Sequence, residues 1–120
     1  MQGKTILLID DDDISNILNQ MVISIADPDV KLIVFSNAVD ALQHLKSNPP
    51  PDHILLDINM PIMNGWQFAQ KCSELIPSLE IIVLSSSDDE NDLNKMKEFN
   101  NIRKYVIKPM SVESYIGLGI

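Results

Sequence analysis

Asp57, Ile58, Asn59, Met60, Pro61, Ile62, Met63, Asn64 and Gly65 follow a short apolar run, Ile54-Leu55-Leu56. Four acids in a row, Asp10, Asp11, Asp12 and Asp13, follow another apolar run, Thr5 to Ile9. Ser85, Ser86 and Ser87 follow a third, Ile81 to Leu84, and Lys108-Pro109 follows a fourth, Tyr105 to Ile107. Carboxylates, hydroxyls and one ammonium are the groups that phosphoryl chemistry uses. Several carboxylates in one cleft repel each other and favour a cation between them. Mg²⁺ suits such a cleft because it prefers hard oxygen ligands, with Mn²⁺ able to substitute. A carboxylate can attack phosphorus and form an aspartyl phosphate. The added phosphoryl oxygens then need cationic and hydroxyl partners, which Lys108 and a serine would supply.

Taken singly, each feature has a plainer meaning. An aspartate after a strand is usually a helix cap, and for Asp12 or Asp13 capping is the favoured role. A serine there is ordinary turn chemistry, and Lys-Pro is an ordinary turn or ion pair. The functional reading rests on the four features meeting in one place, so it depends on the elements that carry them.

Those elements alternate in period. Thr5 to Ile9, Leu32 to Phe35, Ile54 to Leu56, Ile81 to Leu84 and Tyr105 to Ile107 read as five short strands, continuously apolar. Ile14, Ile17, Leu18, Met21, Val22 and Ile25 recur at three- and four-residue steps and define one helical face. Ala38, Ala41, Leu42 and Leu45 define a second helix, and Trp66, Ala69, Cys72 and Ile76 a third. A polar stretch from about Asp89 to Phe99 is a weakly amphipathic fourth, and Ser111 caps a fifth. Strands that are apolar on both faces and joined by helices predict a parallel sheet covered on each side. The expected fold class is therefore α/β, a three-layer sandwich, with residues 1–120 forming a single domain. Sites in such sheets form beyond the carboxyl ends of the strands, where Asp10, Asp57, Ser85 and Lys108 all fall.

The gross properties agree. The formal net charge is −8, which argues against nucleic acid and for a cation or a basic protein surface as partner. No apolar run approaches the roughly 20 residues that cross a bilayer, and the lone Cys72 has no cysteine to pair with, so a cytoplasmic protein is expected. His44 and His53 have no second histidine at ligand spacing, and Trp66 reads as a packing anchor.

Together, Leu8-Ile9-Asp10-Asp11-Asp12, Leu55-Leu56-Asp57-Ile58-Asn59-Met60-Pro61 with Asn64-Gly65, Leu84-Ser85-Ser86 and Lys108-Pro109 resemble the response-regulator receiver domains of two-component signalling. The stretch from Asp57 to Trp66 is especially similar to the small stand-alone receivers of the Bacteroidetes group. The resemblance implies strand order 2-1-3-4-5 and a phosphorelay switch rather than a turnover enzyme. It makes Asp57 the acceptor of a phosphoryl group from a sensor histidine kinase or phosphotransfer protein. Asp11 would bind Mg²⁺ directly, Asp10 through a coordinated water, and Asn59 through its backbone carbonyl, beside Asp57. Ser85 would reach the attached phosphoryl group, Lys108 would pair with its oxygens across a cis bond to Pro109, and Tyr105 would turn inward on activation. Asn59 and Ser87 would tune dephosphorylation. Output would pass to a downstream protein through the face of the fourth helix, fifth strand and fifth helix. Gly117 and Gly119 predict a short last helix. Two other classes remain: a binding module without phosphorylation, and an aspartate-nucleophile phosphatase. The second places another acid two residues beyond the nucleophile, where this chain has Asn59.

Overall fold

A computed structural model of the chain describes residues 3–86 and 90–120. Ser87 lies outside the described residues. Strands and helices alternate as β1 (Thr5–Ile9), α1 (Asp13–Ala26), β2 (Lys31–Phe35), α2 (Ala38–Ser47), β3 (His53–Asp57), α3 (Gly65–Leu75), β4 (Ile81–Ser85), α4 (Glu90–Met96), β5 (Ile102–Ile107) and α5 (Val112–Gly117). All pairings are parallel, and the sheet order is β2-β1-β3-β4-β5. This is the expected α/β sandwich.

Each strand feeds both faces of the sheet because successive side chains alternate. Leu7, Ile9, Ile54, Leu56, Ile81 and Val83 pack with Leu42, Phe68 and Cys72 beneath α2 and α3. Ile6, Leu8, Leu55, Ile82 and Leu84 pack with Ile23 and Tyr115 beneath α1 and α5. With both faces covered, the inner strands are apolar without interruption from Ile6 to Ile9, Ile54 to Leu56 and Ile81 to Leu84.

Local capping starts the helices where the sequence signals them. Asp12 accepts the amides of Ile14 and Ser15, which resolves the choice between Asp12 and Asp13. Asn64 and Gln67 form a capping box at α3. Ser111 accepts the amide of Ser114 at α5, which is six residues long and thus as short as expected.

Two elements depart from the sequence reading. β5 begins at Ile102, three residues before Tyr105. A register irregularity sets Ile81 opposite Ile102 but Ile82 opposite Lys104, so Arg103 is the extra residue, and the polar pair hides the strand from an apolar-run search. The larger departure is α1. Its apolar stripe faces outward: Ile14 is 69% exposed, Leu18 50%, Met21 57% and Ile25 68%. The buried side is built from Asn16, Asn19 and Ile23, with Val22 and Ala26 partly buried beside them. The periodicity located an apolar face correctly but not its surroundings.

Ile62, in the loop between β3 and α3, has φ of +68° and is 92% exposed. A β-branched residue in the left-handed region costs about 1–2 kcal/mol, and here no burial offsets it. Ile62→Asn, which tolerates that conformation, is therefore expected to raise stability by about 0.5–1 kcal/mol. Urea denaturation would measure it, and an unchanged or lower midpoint would refute the strain argument.

Candidate acidic phosphoacceptor site

Sheet register assembles the site. Ile9 pairs with Leu56, so Asp10 leaves β1 level with Asp57, the last residue of β3. Asp57 pairs in turn with Leu84, and Ser85 closes β4 one step beyond. Ser85 pairs with Ile107, so Lys108 leaves β5 beside it, and the Lys108 amide donates to the Ser85 carbonyl at 2.7 Å. All four post-strand groups named from the sequence thus reach one edge of the sheet. The Lys108–Pro109 bond is cis.

Burial divides the acids. Asp10 is fully buried and Asp57 is 6% exposed, while Asp11 is exposed at the mouth. One carboxylate oxygen from each of these three lies within 4.8 Å of the others. That donor set is all hard oxygen, with one buried floor and one open side. It fits a divalent cation that keeps part of its water shell, as Mg²⁺ does.

Each buried carboxylate is pinned. The Asp12 amide donates to Asp10 Oδ1 at 2.9 Å. The Lys108 ammonium donates to Asp10 Oδ2 at 2.5 Å and stands 3.7 Å from Asp57 Oδ2. The Asn59 amide donates to Asp57 Oδ1 at 3.1 Å. One lysine thus serves two buried carboxylates, which leaves excess negative charge. Burial pushes the Asp57 carboxyl up to about 6; the Asn59 hydrogen bond opposes this, the Asp10 charge adds to it, and Lys108 opposes it. A bound cation would offset that cost.

Ser85 is fully buried. Tyr105 is half-buried and packs against the core cluster beneath α2 and α3. Asn59 is exposed beside Asp57. Asp13 belongs to the first turn of α1, and Asp12 is committed to the cap, so the extra acids of the run do not enter the cluster.

Two residues support the site in roles the sequence reading did not assign. Asn16 is buried, and its side-chain amide donates to the Asp10 carbonyl at 2.7 Å, fixing the turn that carries the acids. Its signal was present as a polar residue on the side of α1 away from the apolar stripe. Gly65 is the other. Its amide donates to the Ile58 carbonyl at 3.0 Å, and a Cβ there would stand 2.6 Å from Ile58 Cα. The loop leaving Asp57 folds back tightly against the start of α3 only because that side chain is missing.

Comparison with known proteins gives a consistent result. The pattern that defines the response regulator receiver domain matches residues 6–116. The nitrate/nitrite response regulator protein NarL of Escherichia coli is 38% identical over 92 residues, 77% of this chain and 42% of that protein. The autoinducer 1 sensor kinase/phosphatase LuxN of Vibrio campbellii is 32% identical over 97 residues, 81% of this chain and 11% of that protein. The chain thus spans less than half of these relatives. A two-component response regulator from Cytophaga hutchinsonii, known by crystal structure, is 30% identical and superposes with a TM-score of 0.85, covering 99% of this chain and 96% of that one. One from Legionella pneumophila is 27% identical with a TM-score of 0.84, covering 98% and 95%.

Proposed function

The chain belongs to the response regulator receiver family, and from that premise we propose that it is a phosphorelay switch that accepts a phosphoryl group on Asp57. The observation that carries this reading is the joint one of a nearly buried carboxylate, two neighbouring acids and a lysine at the ends of adjacent strands. Asp10, Asp11 and Asp57 would hold Mg²⁺, with the Asn59 carbonyl as a further ligand; Mn²⁺ suits the same donors. The ion, when bound, neutralises charge on the transferring phosphoryl oxygens.

An oxygen of Asp57 attacks the phosphorus of a phosphohistidine on a sensor kinase or phosphotransfer protein. The P–O bond forms as the P–N bond breaks, and the leaving imidazole takes up a proton. The Asn59 amide holds the acceptor carboxylate in place for this step. Lys108 already contacts both buried acids, so a short movement of its ammonium would engage the new oxygens. The added group carries about −1.5 to −2 charge. Ser85 is drawn toward it, and Tyr105 and the β5 face carry the change to a downstream protein. By their positions in the family's motifs, Asn59 and Ser87 would set how readily water removes the phosphoryl group. Such a chain turns over no separate substrate. No described helix is long and apolar enough to cross a membrane; a cytoplasmic location is part of the same proposal.

Incubation with acetyl phosphate and Mg²⁺ followed by intact-mass measurement tests the reading. One added phosphoryl group is expected. No added mass at millimolar Mg²⁺ would favour a binding module without phosphorylation instead.

The exposed stripe of α1 suits the phosphodonor. It starts at Ile14, directly after the acidic run, so a protein docked on it stands over Asp57. Leu18→Glu is expected to slow transfer from the donor protein about tenfold or more, roughly the loss of one interface anchor. The rate with acetyl phosphate should not change, because Leu18 is 50% exposed on α1 and is not one of the acids of the cluster. Equal slowing with both donors would show that the substitution disturbs the site itself.

A further inference from the structure

We propose that the groove between α3 and α4 is a second docking site, taking a short peptide segment of a partner protein in which apolar side chains are flanked by acidic residues. The groove encloses about 460 Å³, within the usual range of ligand sites. Its floor is Trp66 stacked on Phe99, ring centroids 5.6 Å apart, with Met63 beside them. Half-buried aromatic rings and a methionine are typical anchor-receiving surfaces. They are only partly covered by the chain's own residues.

Charge identifies the occupant. The chain as a whole is strongly acidic, at −8. This groove is an exception, because among the described residues Lys71 and Lys95 line it against the single acid Glu74. An acidic segment meets attraction here and repulsion over much of the remaining surface. A basic segment would be drawn elsewhere, to the cluster of Asp10, Asp11 and Asp57.

Ile62 points to the same surface. It also lines the groove, nearly all of its side chain meets water, and its backbone is in a conformation that an isoleucine resists. Nothing inside the fold rewards an isoleucine there. Contact with a docked apolar side chain does. Because Ile62 and Met63 lie on the loop that leaves Asp57, the groove and the acidic site share one segment of backbone. Docking is therefore placed to bias the acceptor loop, and the acceptor to bias docking.

Trp66 is the only tryptophan of the chain, so its fluorescence reads the groove directly. The probe is a capped peptide, Asp-Leu-Phe-Leu-Glu, against a control with both acids replaced by lysine, each titrated to millimolar concentration without phosphodonor. The acidic peptide is expected to shift Trp66 emission and the backbone amides of Met63, Gln70 and Phe99, and to bind at least tenfold more tightly than the control. Lys71→Glu with Lys95→Glu should abolish that preference. Ile62→Asn should weaken binding severalfold while leaving the fold intact. Equal binding of both peptides, no response at millimolar acidic peptide, or shifts confined to α1 would overturn the proposal. So would concentration-dependent self-association lost in the lysine variants, which would make a second copy the occupant. None of these readouts depends on phosphorylation, so failure here leaves the reading of Asp57 untouched.

Discussion

Asp57→Asn is expected to take no phosphoryl group from acetyl phosphate under conditions in which the parent chain gains one. The amide is nearly the same size as the carboxylate, so its oxygen can still accept the Asn59 hydrogen bond that Asp57 Oδ1 accepts at 3.1 Å. What it lacks is a nucleophilic oxygen with negative charge. Label on the variant at the parent's rate would move the acceptor to another residue and sink the assignment. The same variant has an opposite effect on stability. In the folded chain burial lifts Asp57 from 3.8 to about 6, so the native state binds more protons than the unfolded chain between those values. Stability from this group is therefore full below about pH 4 and is lost as pH rises through about 6. In EDTA at pH 7, Asp57→Asn should be more stable than the parent, by on the order of 2 kcal/mol. Below pH 4 the gap should close, and millimolar Mg²⁺ should narrow it at pH 7 by binding the ionised parent. Chemical denaturation at pH 3.5 and 7, with and without Mg²⁺, checks all three. A variant less stable than the parent at pH 7 without metal would mean that Lys108 and Asn59 more than offset the burial of this charge.

Much of the fold was legible because a parallel sheet covered on both faces needs strands that are apolar throughout. Ile6 to Ile9, Ile54 to Leu56 and Ile81 to Leu84 meet that demand without interruption. The candidate site was legible for the same reason, since Asp10, Asp57, Ser85 and Lys108 are the first polar residues after such runs. β5 was partly hidden because an edge strand tolerates the exposed Arg103 and the half-buried Lys104, whose ammonium donates to the Leu118 carbonyl at 2.9 Å. α1 misleads for a different reason. Periodicity reports that Ile14, Leu18, Met21 and Ile25 share a face, and a core is the usual reason for one. Here the inner face is held by Asn16, Asn19 and Ile23, and the Asn16 amide is used to hold the Asp10 carbonyl. An interaction surface and a core face have the same pattern, and only the position of the neighbouring elements separates them. The backbone of Ile62 had no sequence signal at all, because isoleucine is among the residues least suited to a positive φ.

Gly65→Ala is expected to lower stability by about 1–3 kcal/mol, the range for forcing atoms into a packed site. For a domain of this size that is a fall in Tm of roughly 4–15 °C. The reason is space and not backbone freedom, since Gly65 is not among the residues with positive φ. A Cβ at this position would lie 2.6 Å from Ile58 Cα and 2.9 Å from the Asp57 carbonyl oxygen. Both are main-chain atoms, so neither can move aside as a side-chain tip would. Relief requires shifting the start of α3 or the loop, and the loop carries the Asn59 amide that holds Asp57. Phosphoryl acceptance should therefore slow in the same variant, even well below its melting temperature. Gly117→Ala is the matched control. It also adds one methyl group to a helical glycine, but nothing lies within 4 Å of the new Cβ. Helix propensity alone then favours alanine by up to about 1 kcal/mol. The two glycines should thus respond in opposite directions. If Gly65→Ala melts with the parent and accepts phosphoryl at the parent's rate, close approach of α3 to the acceptor loop is not what positions Asp57.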